Sequence, residues 1–274
     1  MIRLYASDLD GTLLKDATHF HSDALALLRE RVAQGAIFVA VSGRSVASCR
    51  VLFESAGFAL RYCIGVNGAH VAWGETGETL WMRSMPEEAA RGAVEIIRSM
   101  GLRACVYASH AIAYSWPGAL ARSHEHELFE RMRCYGVETS EDEAGLERAL
   151  RGPVLKVLAV RRADGSDEQA FLSAQAMCAE MAGVAVTSSW FNNFEVMSAE
   201  ADKGSALLAL ARQLGIAPEE IVAFGDGDND APMLRAVGTG VAMAHGTQRA
   251  KEAACCLAES VGAWLAAQKD TQMG

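Results

Sequence analysis

The sequence predicts an α/β fold: a doubly wound, Rossmann-like parallel sheet carrying an inserted α+β domain. Two observations lead there. Near-continuous apolar runs alternate with helix-period segments at both ends of the chain, the pattern of parallel strands covered on both faces. Between those two blocks lies a long segment in which helical and strand-like pieces mix without that alternation.

The first block opens on an apolar run at 2–7, read as a buried strand. Ser22 is the N-cap candidate for a helix whose Leu25, Leu28 and Val32 fall at i, i+3 and i+7, with Gly35 as its stop. Residues 36–42 form a second apolar, β-branched strand, 45–56 a helix, and 62–66 a third strand. The same grammar returns late in the chain. Residues 203–214 place Leu207, Leu210 and Leu214 on one face, and Gly215 closes the helix. Short strands follow at 221–225 and 239–244, separated by a helix near 231–237. The core is therefore expected at 1–81 and 198–274, with 82–197 inserted. The insertion opens on Pro86-Glu87-Glu88, a helix start with Pro near N1 and acids in the first turn. Mixed pieces follow at 105–114, 154–160, 167–181 and 184–189.

A chain of 274 residues exceeds the usual single domain of about 100–200 residues, in keeping with two domains. Hydrophobic residues make up 51%, enough for a sizeable core, and the formal net charge is −9. That charge argues against nucleic acid as a partner, because phosphate backbones need clustered Lys and Arg. It leaves room for a small phosphorylated ligand at a local cationic site. Seven cysteines without a CxxC pair give neither a disulfide framework nor a structural zinc site. There is no basic leader followed by an apolar stretch, and no run of about 18 apolar residues. The expectation is a cytoplasmic protein without a membrane partner.

Four motifs fall at the carboxyl ends of predicted core strands, the edge where open α/β sheets bind ligands. Asp8-Leu9-Asp10-Gly11-Thr12 sets two carboxylates one residue apart. Asp8 is placed to attack phosphorus, and Asp10 to protonate the leaving alcohol and then deprotonate water; a plain Asp-Gly turn is the competing reading. Ser42-Gly43-Arg44 offers a hydroxyl and backbone N–H groups to a phosphate oxygen, or else an ordinary N-cap and turn. Lys203, opening a helix in Asp202-Lys203-Gly204, is a point charge for a carboxylate and a phosphate together, or a solvated lysine. Asp226-Gly227-Asp228-Asn229-Asp230 crowds acids that repel unless a cation sits among them, and oxygen-only ligation favours Mg2+ over zinc. A calcium loop competes, but the EF-hand spacing is missing.

These four motifs, in this order, resemble those of the haloacid dehalogenase superfamily of phosphatases. The large insertion between the second and third motifs, and Asn67-Gly68-Ala69 after the third strand, resemble the Cof-like hydrolases with an α/β cap. The run Gly240-Val241-Ala242-Met243 fits as well. The resemblance implies that Asp8 is nucleophile and Mg2+ ligand, and that Asp10 is general acid/base and binds the metal through its backbone carbonyl. It implies that Asp226 completes the metal ligands, with Asp230 steadying the site from behind. Ser42, Lys203 and Asn229 would hold the phosphate, Gly43 contributing backbone geometry and Arg44 facing the substrate. Asp10 favours phosphatase or phosphomutase chemistry over the branches that lack an acid there.

One departure stands out: the family often continues with Gly-Asn-Ala where this chain has Ala244-His245-Gly246. If the usual Asn supports the metal loop, either His245 replaces it or the support is lost; His245 itself reads as a helix-entry histidine with a hydrogen bond and not as a catalytic residue. In the insertion, His124-Glu125-His126-Glu127 does not present a zinc pair at i, i+4 and reads as solvated surface. Trp190-Phe191-Asn192-Asn193 reads as a substrate contact or a hairpin turn, and Trp116-Pro117 as a loop. The leading expectation is Mg2+-dependent hydrolysis of phosphomonoesters of small metabolites. A sugar phosphomutase is the enzymatic alternative, and a non-catalytic phosphometabolite sensor the other; oligomeric state is left open.

Overall fold

The computed structural model describes residues 1–116, 126–162, 165–188 and 192–270. In chain order the first elements are β1 (Leu4–Ser7), α1 (Ser22–Ala33), β2 (Ile37–Val41), α2 (Val46–Ser55), β3 (Tyr62–Gly65), β4 (His70–Trp73) and β5 (Thr79–Met82). Next come α3 (Glu87–Ser99), β6 (Arg103–Ala108), β7 (Ala111–Tyr114), α4 (His126–Arg133), β8 (Glu138–Ser140), α5 (Glu143–Leu150), β9 (Val154–Val160), α6 (Glu168–Ala179), β10 (Val184–Thr187) and β11 (Asn193–Ser198). The chain closes with α7 (Lys203–Gln213), β12 (Ile221–Gly225), α8 (Ala231–Ala236), β13 (Thr239–Met243), α9 (Gln248–Ala253), β14 (Cys256–Ala258) and α10 (Val261–Asp270).

Two compact units result, Met1–Leu80 with Asp202–Gly274, and Trp81–Ala201. In the first, the described strands form one sheet in the order β14-β13-β12-β1-β2-β3-β4-β5. Pairing is parallel from β14 to β3 and antiparallel between β3 and β4. Both faces of the central strands are buried, which is why their sequences run apolar without alternation. Tyr5, Phe38, Val222 and Phe224 pack with Leu25 and Leu28 of α1, Leu52 and Phe53 of α2, and Leu265 of α10. Strand order reverses at β1, which has β2 on one side and β12 on the other. Ser7 pairs with Ala40 and with Phe224, so β1, β2 and β12 end at one edge of the sheet. That reversal opens the crevice where such sheets place ligands.

In the second unit the described strands order as β10-β11-β9-β6-β7-β8, mostly antiparallel. Ile97 of α3, Leu146 of α5 and Phe171 of α6 share a core with Val106, Val157 and Phe194 of the sheet. The 105–114 piece holds parts of two strands, β6 and β7, with a bend at Ser109–His110 between them.

Two caps differ from expectation by one residue. The His21 carbonyl accepts from Leu25 N–H, so His21, not Ser22, occupies the N-cap of α1. Pro86 likewise stands at the N-cap of α3, because its carbonyl accepts from Ala90. Pro117, His124, Glu125, Trp190 and Phe191 lie outside the described residues, as do the side chains of His126 and Glu127. All seven cysteines are free, and among the described residues no helix is long and apolar enough to cross a membrane.

Candidate active site

Where β1 runs out, Asp8 N–H still donates to the Phe224 carbonyl at 2.9 Å, tying the first motif to β12. The chain then turns at Gly11, whose φ of +78° suits glycine. A Cβ there would fall on the Asp226 carboxylate, so side chain and main chain approach only because the residue has none. Thr12 Oγ1 donates to Asp226 Oδ1 at 2.7 Å, a second tie between the first and fourth motifs.

Lys203 reaches the same place from the start of α7, whose N-cap Asp202 accepts from Ser205 N–H at 2.8 Å. Its ammonium is fully buried and donates to Asp8 Oδ1 and to Asp230 Oδ1, each at 2.6 Å. Asp230 is satisfied on its other side too, because Oδ2 accepts from Asp226 N–H at 3.0 Å and Gly227 N–H at 2.9 Å. Carboxylate oxygens of Asp8, Asp226 and Asp230 all lie within 4.8 Å of one another.

Three carboxylates against one ammonium leave an uncompensated negative charge in a buried cluster. Burial pushes the Asp8 carboxyl well above the ordinary carboxylate range; Lys203 pulls it back, and Asp230, Asp226 and Asp10 push it up again. Burial also raises Asp226, against the Thr12 hydrogen bond. For Lys203, burial disfavours the charge, but Asp230 and Asp8 more than offset it and hold the ammonium protonated.

The second motif contributes differently at each position. Ser42 is buried, and its Oγ accepts from Arg44 N–H at 3.2 Å. The Arg44 guanidinium forks onto Asp10, Nε to Oδ2 at 2.7 Å and Nη2 to Oδ1 at 2.5 Å. Gly43 lies against Asn67, which brings in a loop that the four motifs do not include. Asn229, on the 3-10 turn Asp228–Asp230, donates through Nδ2 to Asn67 Oδ1 at 3.0 Å. Asp228 is exposed.

His245 Nε2 lies 2.8 Å from the Gly11 carbonyl, so that nitrogen carries the proton and donates. Two residues on, Thr247 N–H donates to the Asp226 carbonyl at 2.8 Å. One turn thus braces both acidic loops, and a histidine fills the position where an asparagine is usual. Thr12 and Asn67 have site contacts to which sequence reasoning assigned no role. For Asn67 the available signal was an Asn-Gly pair directly after a strand, a pair prone to left-handed backbone.

Comparison with known proteins bears on what this arrangement does. A family model described as haloacid dehalogenase-like hydrolase matches residues 5–262. An HMP-PP phosphatase of Serratia proteamaculans (strain 568) is 27% identical over 253 residues, covering 92% of this chain and 87% of that protein. A phosphoglycolate phosphatase of Methanopyrus kandleri is 49% identical over only 61 residues, 22% of this chain and 26% of that protein. Among solved structures, a haloacid dehalogenase-like hydrolase from B. subtilis superposes with a TM-score of 0.80 at 24% identity, covering 97% of this chain and 99% of that one. The structural likeness extends the shared fold over both units.

Proposed function

The chain belongs to the haloacid dehalogenase-like hydrolases, and we propose that it is a Mg2+-dependent phosphatase releasing phosphate from small phosphorylated metabolites through an aspartyl-phosphate on Asp8. The observation that carries the reading is the buried Lys203 ammonium bridging Asp8 and Asp230 at 2.6 Å each, at the edge of the sheet where strand order reverses.

The donor set fits a hard cation. It is all oxygen, crowded and short of positive charge, which suits Mg2+ rather than zinc. Asp8, Asp226 and the Asp10 carbonyl would hold it. Asp230 has both oxygens already engaged, so it braces the loop behind. When bound, the ion offsets negative charge on the carboxylates and the phosphate.

The chain's own residues supply the rest. Asp8 attacks phosphorus and the bond to the leaving oxygen breaks, while Asp10 gives that oxygen its proton. Asp10 then takes a proton from water as the water attacks phosphorus, which frees Asp8. Arg44 positions Asp10, and one arm of its fork must open for an Asp10 oxygen to carry the proton given to the leaving group. Lys203, Ser42 and Asn229 hold the phosphate oxygens, with the charge of Lys203 placed where negative charge gathers. The unit Trp81–Ala201 is assigned the role of a cap that selects the leaving group, and the protein is placed in the cytoplasm.

The test is phosphate release over a phosphometabolite panel with Mg2+. Asp8→Asn should lower turnover by at least about a thousandfold, because the nucleophile itself is lost. Normal turnover by that variant overturns the reading. Isomerised sugar phosphate without inorganic phosphate points instead to a phosphomutase.

A further inference from the structure

The turn Val66–Gly68 is the strained element of the core. Val66 and Asn67 have φ of +48° and +51°, the non-glycine residues of the described chain with positive φ, and Gly68 follows at +99°. Asparagine tolerates this region, but a β-branched valine there is an outlier that surrounding contacts must hold in place.

Those contacts run to three motif loops at once. Val66 N–H donates to the Arg44 carbonyl at 2.8 Å, and Asn67 N–H to the Ser42 carbonyl at 2.9 Å. Gly68 sits on the Asp202 carbonyl, immediately before Lys203, so closely that a Cβ would overlap it. The Asn67 side chain is buried and accepts from Asn229 Nδ2 at 3.0 Å through Oδ1. A Cβ on Gly43 would come 3.1 Å from that same oxygen, so a side chain at 43 would crowd the amide.

We propose that Asn67 is a positioning residue for phosphate binding: its left-handed backbone aims Oδ1 at Asn229 and fixes which way the Asn229 amide faces. An acceptor at Asn67 holds the NH2 end of that amide on the inner side of the site. One N–H is spent on Asn67, and the second stays directed at a phosphate oxygen. Strain at Val66 and Asn67 is then the conformational requirement for placing one acceptor oxygen between two motif loops. The proposal rests on the phosphatase reading above, and it concerns how the phosphate group is held, whatever the leaving group.

Asn67→Gly is the informative variant. Glycine accepts the left-handed backbone without strain and keeps the N–H bond to Ser42, so only the side chain is lost. With para-nitrophenyl phosphate as substrate, KM and the inhibition constant of inorganic phosphate should both rise about tenfold, the scale of one hydrogen bond. The thermal midpoint should stay above that of Asn67→Ala, because glycine relieves the backbone strain that alanine keeps. Asn67→Ala should raise the inhibition constant equally but lower the midpoint, because alanine bears the strain. A purely structural role predicts the opposite coupling, with affinity following the midpoint.

Asn229→Ala supplies the second arm. If Asn67 acts through Asn229, adding Asn67→Gly to Asn229→Ala should change phosphate inhibition less than about twofold. Multiplying effects in the double variant, or an unchanged inhibition constant in Asn67→Gly, overturns the positioning role while leaving the phosphatase reading intact. Wild-type protein that neither releases nor binds phosphate overturns both.

Discussion

Lys203 shows most directly how a residue's chemistry and its surroundings depend on each other. The ammonium is stripped of water and tolerated because two carboxylates receive it. Lys203→Met should therefore do two things: abolish phosphate release and leave the Oδ1 atoms of Asp8 and Asp230 buried without their cation. Breaking a buried pair in this way costs about 3–5 kcal/mol, measurable by urea unfolding of the variant against wild type. A variant as stable as the parent would mean that the cluster relaxes or takes up protons freely. At this scale the sequence was most legible where side-chain type alone restricts the chemistry. Asp8, Lys203, Asp226 and Asp230 were singled out from type and order, and the fold brings their charged groups together. The Arg44 fork on Asp10 and the His245 contact with the Gly11 carbonyl were not legible. Each depends on the direction of a long side chain, or on a carbonyl that any residue carries.

Among elements, several buried strands were read almost to the residue, whereas β4 (His70–Trp73) and β11 (Asn193–Ser198) were not anticipated. Ile221–Gly225 and Val154–Val160 keep their expected bounds because apolar runs end where the chain leaves the core. Helix starts at His21 and Pro86 moved by a position, since the N-cap is defined by which carbonyl accepts the first helical bond. The strand β4 has its own consequence. His70 is buried there, with Nε2 2.9 Å from Thr79 Oγ1. Burial lowers its pKa to about 4, against about 6.5 in an unfolded chain. The unfolded state then binds a proton that the native state refuses. Stability is complete above pH 6.5 and falls as pH drops toward 4, approaching about 1.4 kcal/mol per pH unit. His70→Gln should flatten this slope between pH 6.5 and 4.5 in urea titrations; equal slopes would show that another group carries the acid sensitivity.

At the scale of the whole molecule, the chain leaves its core unit after Leu80 and returns at Asp202. The acidic cluster therefore draws on residues almost 220 positions apart, from Asp8 to Asp226, and exists only when that unit is folded. An ion bound there stabilises the native state alone. Mg2+ at ten times its dissociation constant should add about 1.4 kcal/mol, seen as a higher midpoint that EDTA reverses. Asp226→Ala should remove the shift. A shift that survives in this variant would locate the ion elsewhere. By itself the sequence determined the α/β class and singled out the acidic and basic side chains that the fold gathers, because burial patterning and functional-group chemistry are local properties. Tertiary structure alone decided that Arg44 holds Asp10, that His245 braces Gly11 and that Asn67 reaches Asn229. Those contacts arise from parallel strands that place distant turns at one sheet edge, where distance in space no longer follows distance along the chain.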